Sequence, residues 1–325
     1  MKFSFTDDQR MFAEGLRDLL NNECTPAHVR EAWENHQGHI PQLWSRLADM
    51  GVLSILVPEA HGGMGGNLVD AVLLFQELGR AGVPGPVLEH MAVAAPALAG
   101  HSVNSSLASA LVDGNKIATL WVDSSPYVAH AQVADVIVRT SDYLEGFTFT
   151  DVHGIDGGRQ LFAVEGGSST AVSSEVFGLP AVDVMALASA AYLVGASERM
   201  IEVAAEYARQ REQFGKPIGS FQAVKHLMSD ALLKVEFAKA PTYRAAWSAS
   251  NGAPTALRDI SMAKALASEA AYRASRSSMQ VHGGIGYTWE ADLQLWMKKS
   301  WALMRSYGDA TFHRRRVGAS VLSPE

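Results

Sequence analysis

The chain has 325 residues, more than one compact core ordinarily holds, so two or three sub-domains are expected. A formal net charge of −7 argues against nucleic acid as the main partner, and 48 % hydrophobic residues without an uninterrupted apolar run of about 20 gives no reason to expect a membrane span. One cysteine, Cys24, and scattered histidines fit neither a disulfide framework nor a zinc site, and Met1-Lys2-Phe3-Ser4 lacks an apolar signal core, so a cytoplasmic protein without metal is expected.

The pattern from Thr6 to about Ala110 is helical. Thr6 is a candidate N-cap with Gln9 three residues on, a capping box, and Phe5 stands just before it. Phe12, Leu16, Leu19 and Leu20 then recur at helical spacing. Leu43, Leu47 and Met50 mark a second helix that ends at Gly51, where a left-handed residue suits a C-terminus. Val52 to Val57 is a short apolar run stopped by Pro58. The cluster Gly62, Gly63, Gly65 and Gly66 makes a turn before a helix that starts near Asn67. A glycine cluster before a helix can hold phosphate, but the lysine and serine or threonine of a P-loop are absent, so the cluster reads as a turn.

Between Lys116 and Pro180 the periodicity shortens. Lys116 to Val122, Val133 to Thr140, Phe147 to Val152 and Gln160 to Val164 read as strands separated by Ser, Pro, Asp and Gly clusters, which predicts a small β-domain. From Val182 the chain is helical again. A long helix runs through Ala186, Ala190, Leu193, Ala196, Met200, Val203, Ala204 and Tyr207, with alanines that permit close packing in an antiparallel bundle. Further helices are predicted over Phe221 to Ala249, with Pro241 as a kink or break, over Ala256 to His282 and over Ala291 to Tyr307.

Two runs in this last part carry the most specific signal. Arg211 to His226 reads REQFGKPIGSFQAVKH, and Gln280 to Glu290 reads QVHGGIGYTWE. Together they resemble the two flavin-contacting signatures of the acyl-CoA dehydrogenase family. Gly51 to Gly82, with its VPE and ELGR segments, resembles that family's N-terminal helical domain. The resemblance implies a mainly α fold with a small β-domain: an N-terminal helical domain over 1–113, a shortened middle β-domain over 114–180 and a C-terminal four-helix-type domain over 181–325.

It further implies FAD as cofactor. Arg211 matches the pyrophosphate-binding arginine, a role suited to a guanidinium that donates several hydrogen bonds at once. Gln213, Phe214 and Gln222 fall on neighbouring dinucleotide-contacting positions. Gln280 matches the glutamine at the adenylate end, and Gly283 and Gly284, lacking a Cβ, would let backbone approach the cofactor. Gly215 and Gly219 read as turn formers, and His282 as a packed or surface histidine. In the family these contacts go mostly to the flavin of the neighbouring subunit, which implies an oligomer.

The family reaction takes a proton from the carbon alpha to a thioester and a hydride from the beta carbon, and needs a desolvated carboxylate base. The usual glutamate position falls on Tyr307, or on Gly308 with a one-residue slip, and the alternative position falls near Asn251. None of these is an adequate base at neutral pH. Asp309 is the one carboxylate near the expected place, as a short-reach base, a helix cap or a partner of Arg314-Arg315-Arg316.

The family's middle-domain segment that touches the flavin ring is also missing, with Trp121 to Pro126 its nearest counterpart. Loss of base, ring segment and part of the β-domain, beside an intact adenylate signature, points to a subunit that completes a partner's flavin site. The chain resembles the short halves of actinobacterial heteromeric acyl-CoA dehydrogenases of steroid catabolism. That resemblance implies an acyl-CoA substrate, a paralogous partner in an α2β2-like assembly and an electron-transfer protein as acceptor. Two alternatives stand beside it: a self-sufficient homo-oligomer using Asp309 as base, and a catalytically silent scaffold.

Overall fold

The computed structural model describes residues 4–36, 38–100 and 105–322. Met1 to Phe3, part of the segment read as lacking a signal core, lie outside the described residues.

The N-terminal helices are α1 (Asp7–Glu23), α2 (Pro26–Glu34), α3 (Pro41–Asp49) and α4 (Leu68–Ala81). The predicted capping box is formed: Gln9 N–H donates to Thr6 Oγ1 at 3.2 Å, and Gln9 Oε1 accepts from Thr6 N–H at 2.9 Å. Phe5 packs edge-on against Tyr243 at 5.0 Å. Asn67 and Asp70 form a second box at the start of α4, and α4 ends on Gly82 in the left-handed region. Val52 to Val57 is a buried series of turns rather than a regular element.

Three short helices follow: α5 (Val87–Glu89), α6 (Ala95–Ala99) and α7 (Ser105–Val112), with a π-helical turn over His90–Ala94 joining α5 to α6. All of 87–99 is buried.

The middle region holds two small sheets. One has the order β1 (Ala118–Leu120), β3 (Val136–Val138), β4 (Asp142–Glu145), β7 (Ser168–Ala171), with β1 and β3 parallel and the rest antiparallel. The other has the antiparallel order β2 (Val128–Ala129), β6 (Leu161–Glu165), β5 (Thr148–Val152). The four predicted runs each contain a strand. β2, β4 and β7 were not predicted: β2 is only two residues long, Asp142-Tyr143-Leu144-Glu145 is half polar, and Ser168-Ser169-Thr170-Ala171 is an exposed edge without apolar alternation.

The C-terminal part is built on α8 (Ala181–Gln210), α9 (Gln222–Ser250) and α10 (Ala256–His282), followed by α11 (Leu293–Arg305) and α12 (Ala310–Leu322). A two-stranded ribbon, β8 (Glu212–Gln213) and β9 (Lys216–Pro217), separates α8 from α9. Although no uninterrupted apolar run was expected, α8 is long and apolar enough by composition to cross a bilayer. Since 89 % of its apolar window is buried inside the protein, it serves as the central core helix.

Two glycines set its closest crossing. A Cβ on Gly195 of α8 would lie 1.9 Å from the Gln76 carbonyl oxygen, and one on Gly79 of α4 would lie 2.0 Å from that of Tyr192. Backbone therefore meets backbone where α4 crosses α8. Pro241 does not break α9, which runs through it. The residue whose carbonyl loses its partner, Phe237, lies on the exposed face, and Thr242 Oγ1 returns to the Ala238 carbonyl at 2.8 Å.

Candidate cofactor surface and the closed base position

Arg211 is the first residue beyond α8. Its N–H donates to the Tyr207 carbonyl at 2.9 Å, and its own carbonyl accepts from Ile218 N–H at 2.8 Å, which folds the β8–β9 ribbon back against the helix end. The ribbon turns on Phe214 and Gly215, at φ 54° and 76°. Positive φ at both central positions is the hairpin geometry that favours Asn-Gly, and a bulky aromatic there is strained. Phe214 is nevertheless 92 % exposed, so the strain holds a phenyl ring out in solvent. The Arg211 guanidinium is exposed and has no ion-pair partner among the described residues, and Gln213 and Gln222 are exposed beside it.

The second signature follows α10. Gly283 closes the helix at φ 63°, ψ −140°, a conformation for glycine, and Gly283–Tyr287 continues as a 3-10 turn. Gln280, Gly283 and Gly284 are exposed, and a Cβ on Gly215, Gly283 or Gly284 would meet only open space. His282 is buried, with Nδ1 2.8 Å from the Ser278 carbonyl.

The fold brings the two signatures together. The Tyr207 and His282 rings stack at 4.5 Å, and Val281 packs with Ala208, Ile218 and Val224 in one apolar cluster. The surface they form carries a guanidinium, three carboxamides, open glycine backbone and a projecting aromatic ring. This donor set fits the pyrophosphate and adenylate end of a dinucleotide approaching from outside the chain. Its chemistry is that of a binding surface. The middle-domain stretch at Trp121 spends its polar groups locally: Trp121 Nε1 donates to the Ser125 carbonyl at 2.9 Å, and Asp123 accepts from Thr140 Oγ1 at 2.8 Å.

The position expected for the base is closed. Tyr307 and Gly308 lie between α11 and α12 at φ 58° and 90°, which turns the Tyr307 ring inward to 5 % exposure. Its hydroxyl donates to Glu89 Oε1 at 2.8 Å. Arg159 stands 3.8 Å from the same Glu89. Next to them, Lys299 Nζ donates to the Gly158 carbonyl at 3.0 Å and lies 3.9 Å from Asp156. Burial, with Glu89 beside it, holds the Tyr307 phenol far above its ordinary range, so the group is a neutral donor. Burial lowers Lys299, and Asp156 partly restores it.

The loop is fixed from behind. Lys264 Nζ donates to the Leu303 and Gly308 carbonyls, each at 3.0 Å, which caps the end of α11, and burial brings its ammonium down to about 7. His313 Nε2 meets the Tyr307 carbonyl at 2.9 Å. Asp309 sits outside this enclosure: its Oδ1 accepts from Phe312 N–H at 2.8 Å, which caps α12 and lowers its pKa. Of the arginine run, Arg314 pairs with Glu269 and Arg316 with buried Asp183. Asn251 caps the end of α9. Among the described residues no three His, Cys, Asp or Glu side chains group as a metal site.

Sequence reading missed Glu89, Arg159 and Lys299 as a unit. A signal was present: Glu89 is the one carboxylate in the apolar run from Val83 to Ala99.

Residues 6–105 match the acyl-CoA dehydrogenase N-terminal domain, and residues 180–322 the acyl-CoA dehydrogenase C-terminal domain. The chain therefore belongs to the acyl-CoA dehydrogenase family, oxidoreductases acting on the CH–CH bond of acyl-CoA that generally bind FAD. Acyl-CoA dehydrogenase IpdE2 of Mycolicibacterium smegmatis is 33 % identical over 321 residues, 97 % of this chain and 99 % of that protein. The ChsE4-ChsE5 complex from Mycobacterium tuberculosis shares the fold at a TM-score of 0.86 and 25 % identity, covering 100 % of both chains. A variant of the Tcur3481-Tcur3483 steroid ACAD shares it at 0.87 and 22 %, covering 97 % of this chain and 98 % of that one.

Proposed function

We propose that this chain is one subunit of a hetero-oligomeric, FAD-dependent acyl-CoA dehydrogenase, and that its Arg211 and Gly283-Gly284 surface completes a flavin site whose base and ring contacts come from a fuller paralogous subunit. The observation that carries this reading is a contrast within one chain. The dinucleotide-binding signatures are joined and face outward, while the base position is filled by a buried tyrosine.

In that site Arg211 would grip the pyrophosphate, Gln280 would meet the adenylate end, and Gln213, Phe214 and Gln222 would flank them. Bound FAD supplies the hydride acceptor. The substrate class is an acyl-CoA thioester, and the names of the similar proteins, one of them a steroid enzyme and one a two-component complex, favour a bulky steroid-derived acyl group and a heteromeric assembly. An electron-transfer protein would reoxidise the flavin, in the cytoplasm.

The test is a pair of variants in the chain co-purified with a paralogous acyl-CoA dehydrogenase from the same genome. Arg211→Ala is expected to strip flavin and activity from the assembly while the subunits stay associated, and Asp309→Asn to leave turnover near wild type. Retained flavin in the first variant would favour a scaffold. Collapse of turnover with flavin retained in the second would favour Asp309 as base.

A further inference from the structure

We infer that Tyr307, hydrogen-bonded to buried Glu89, is a plug that closes this chain's own acyl cavity, so that acyl-CoA is directed to the partner's site alone. The purpose assigned to the plug rests on the partner-completing reading above; the closure itself does not.

Each side of the closure comes from a different part of the chain. Glu89 is on the buried helical stretch of the N-terminal region, Arg159 on the loop before β6 in the sheet region, and Tyr307 on the turn between α11 and α12. The cavity bounded by Glu89, Arg159, Tyr192 and Lys299 retains about 10 Å³, room for no more than one water molecule and none for an acyl chain.

The charges around the ring are buried together. Two cations, Arg159 and Lys299, stand against two anions, Glu89 and Asp156, and all four side chains are at least 88 % buried by their exposures of 12, 7, 3 and 2 %. A thioester entering here would have to pull the phenol off a charge-assisted hydrogen bond and leave charges without their partners, which a buried site resists strongly. The turn that delivers the ring is built for this placement. Tyr307 accepts the strain of φ 58°, and Lys264 and His313 hold its backbone from the far side. A tyrosine needed only to fill a core would not require a left-handed backbone pinned by two further side chains.

The test uses the full chain alone, without flavin or partner, so it fails or succeeds independently of Arg211. Wild-type protein is titrated with CoA and with butyryl-CoA by calorimetry. The plug predicts equal affinity for the two, because the butyryl group finds no cavity. A gain of about tenfold or more for butyryl-CoA in the wild type would overturn the inference whatever any variant does.

Tyr307→Gly, a substitution the positive φ tolerates, should then open a cavity that binds p-cresol, the excised side chain. Butyryl-CoA should displace the p-cresol, and CoA should not. Tyr307→Phe, which keeps the ring, should bind neither p-cresol nor the butyryl group. Folded Tyr307→Gly protein that takes up p-cresol without displacement, or takes up neither ligand, would show that the ring does not stand on an acyl path.

Discussion

The Tyr207 ring lies flat on the His282 imidazole, 4.5 Å between centroids and 16° between planes, where the last turn of α8 meets the last turn of α10. Tyr207 is four residues before Arg211 and His282 is directly before Gly283. This stack fixes the spacing between the guanidinium and the glycine turn that would share one dinucleotide. Such a pair is worth about 0.5–1.5 kcal/mol beyond its buried area. Tyr207→Leu is expected to weaken FAD retention in the assembled enzyme, while Tyr207→Phe keeps the stack and retains flavin like wild type. Flavin absorbance after dialysis of the assembly separates the two.

Arg211→Lys keeps the charge and loses the planar fork. Because a pyrophosphate rewards bidentate donation, FAD affinity of the assembly should fall by about tenfold or more, and the loss should persist at high salt better than a simple charge contact would. Stability should change by less than about 0.5 kcal/mol, since the side chain is exposed and unpaired among the described residues. Equilibrium dialysis and a denaturant titration on the same preparation check both parts.

Gly195→Ala puts a methyl group 1.9 Å from the Gln76 carbonyl oxygen, where no flexible side chain can move aside. Separating α4 from α8 should cost on the order of 1–3 kcal/mol or more. A urea midpoint unchanged from wild type would contradict the backbone contact.

Acid should destabilise the fold before the carboxylates titrate. His90 is buried and neutral, with Nε2 3.2 Å from the Leu111 carbonyl and Nδ1 accepting from Ala118 N–H at 3.1 Å; a proton on Nδ1 would oppose that N–H. Burial lowers its pKa from 6.5 to about 4. Between those values the unfolded chain binds the proton and the folded chain does not. Stability therefore rises with pH across this window and is lost as pH falls from 6.5 towards 4, by on the order of 3 kcal/mol in all. His313, likewise lowered to about 4 by burial, adds to the loss in the same window. His90→Gln should flatten the pH dependence while lowering stability at pH 7, as read by urea unfolding at several pH values.

The longer helices α1, α3, α4, α8, α9, α10 and α11 and both signatures were legible because their information is local. The Thr6 box, the Gly51 stop and the Ala256 to His282 helix are each written in a few consecutive residues. That Arg211 and Gln280 share one surface was implied by resemblance, and the packing of Val281 on Ala208 supplies the physical link. The plug was illegible because Glu89, Arg159, Lys299 and Tyr307 are scattered along the chain and no periodicity announces a charge cluster. The edge strand Ser168–Ala171 was missed because exposed strands need no apolar alternation.

A chain that completes a partner's flavin site binds flavin only within the assembly. The most direct measurement is the visible absorbance and native mass of the chain purified alone and then with its paralogue. A folded, colourless protein is expected alone, and a yellow assembly with dehydrogenase activity once the partner is present. About one flavin per chain in a homo-oligomer of this chain alone would contradict it.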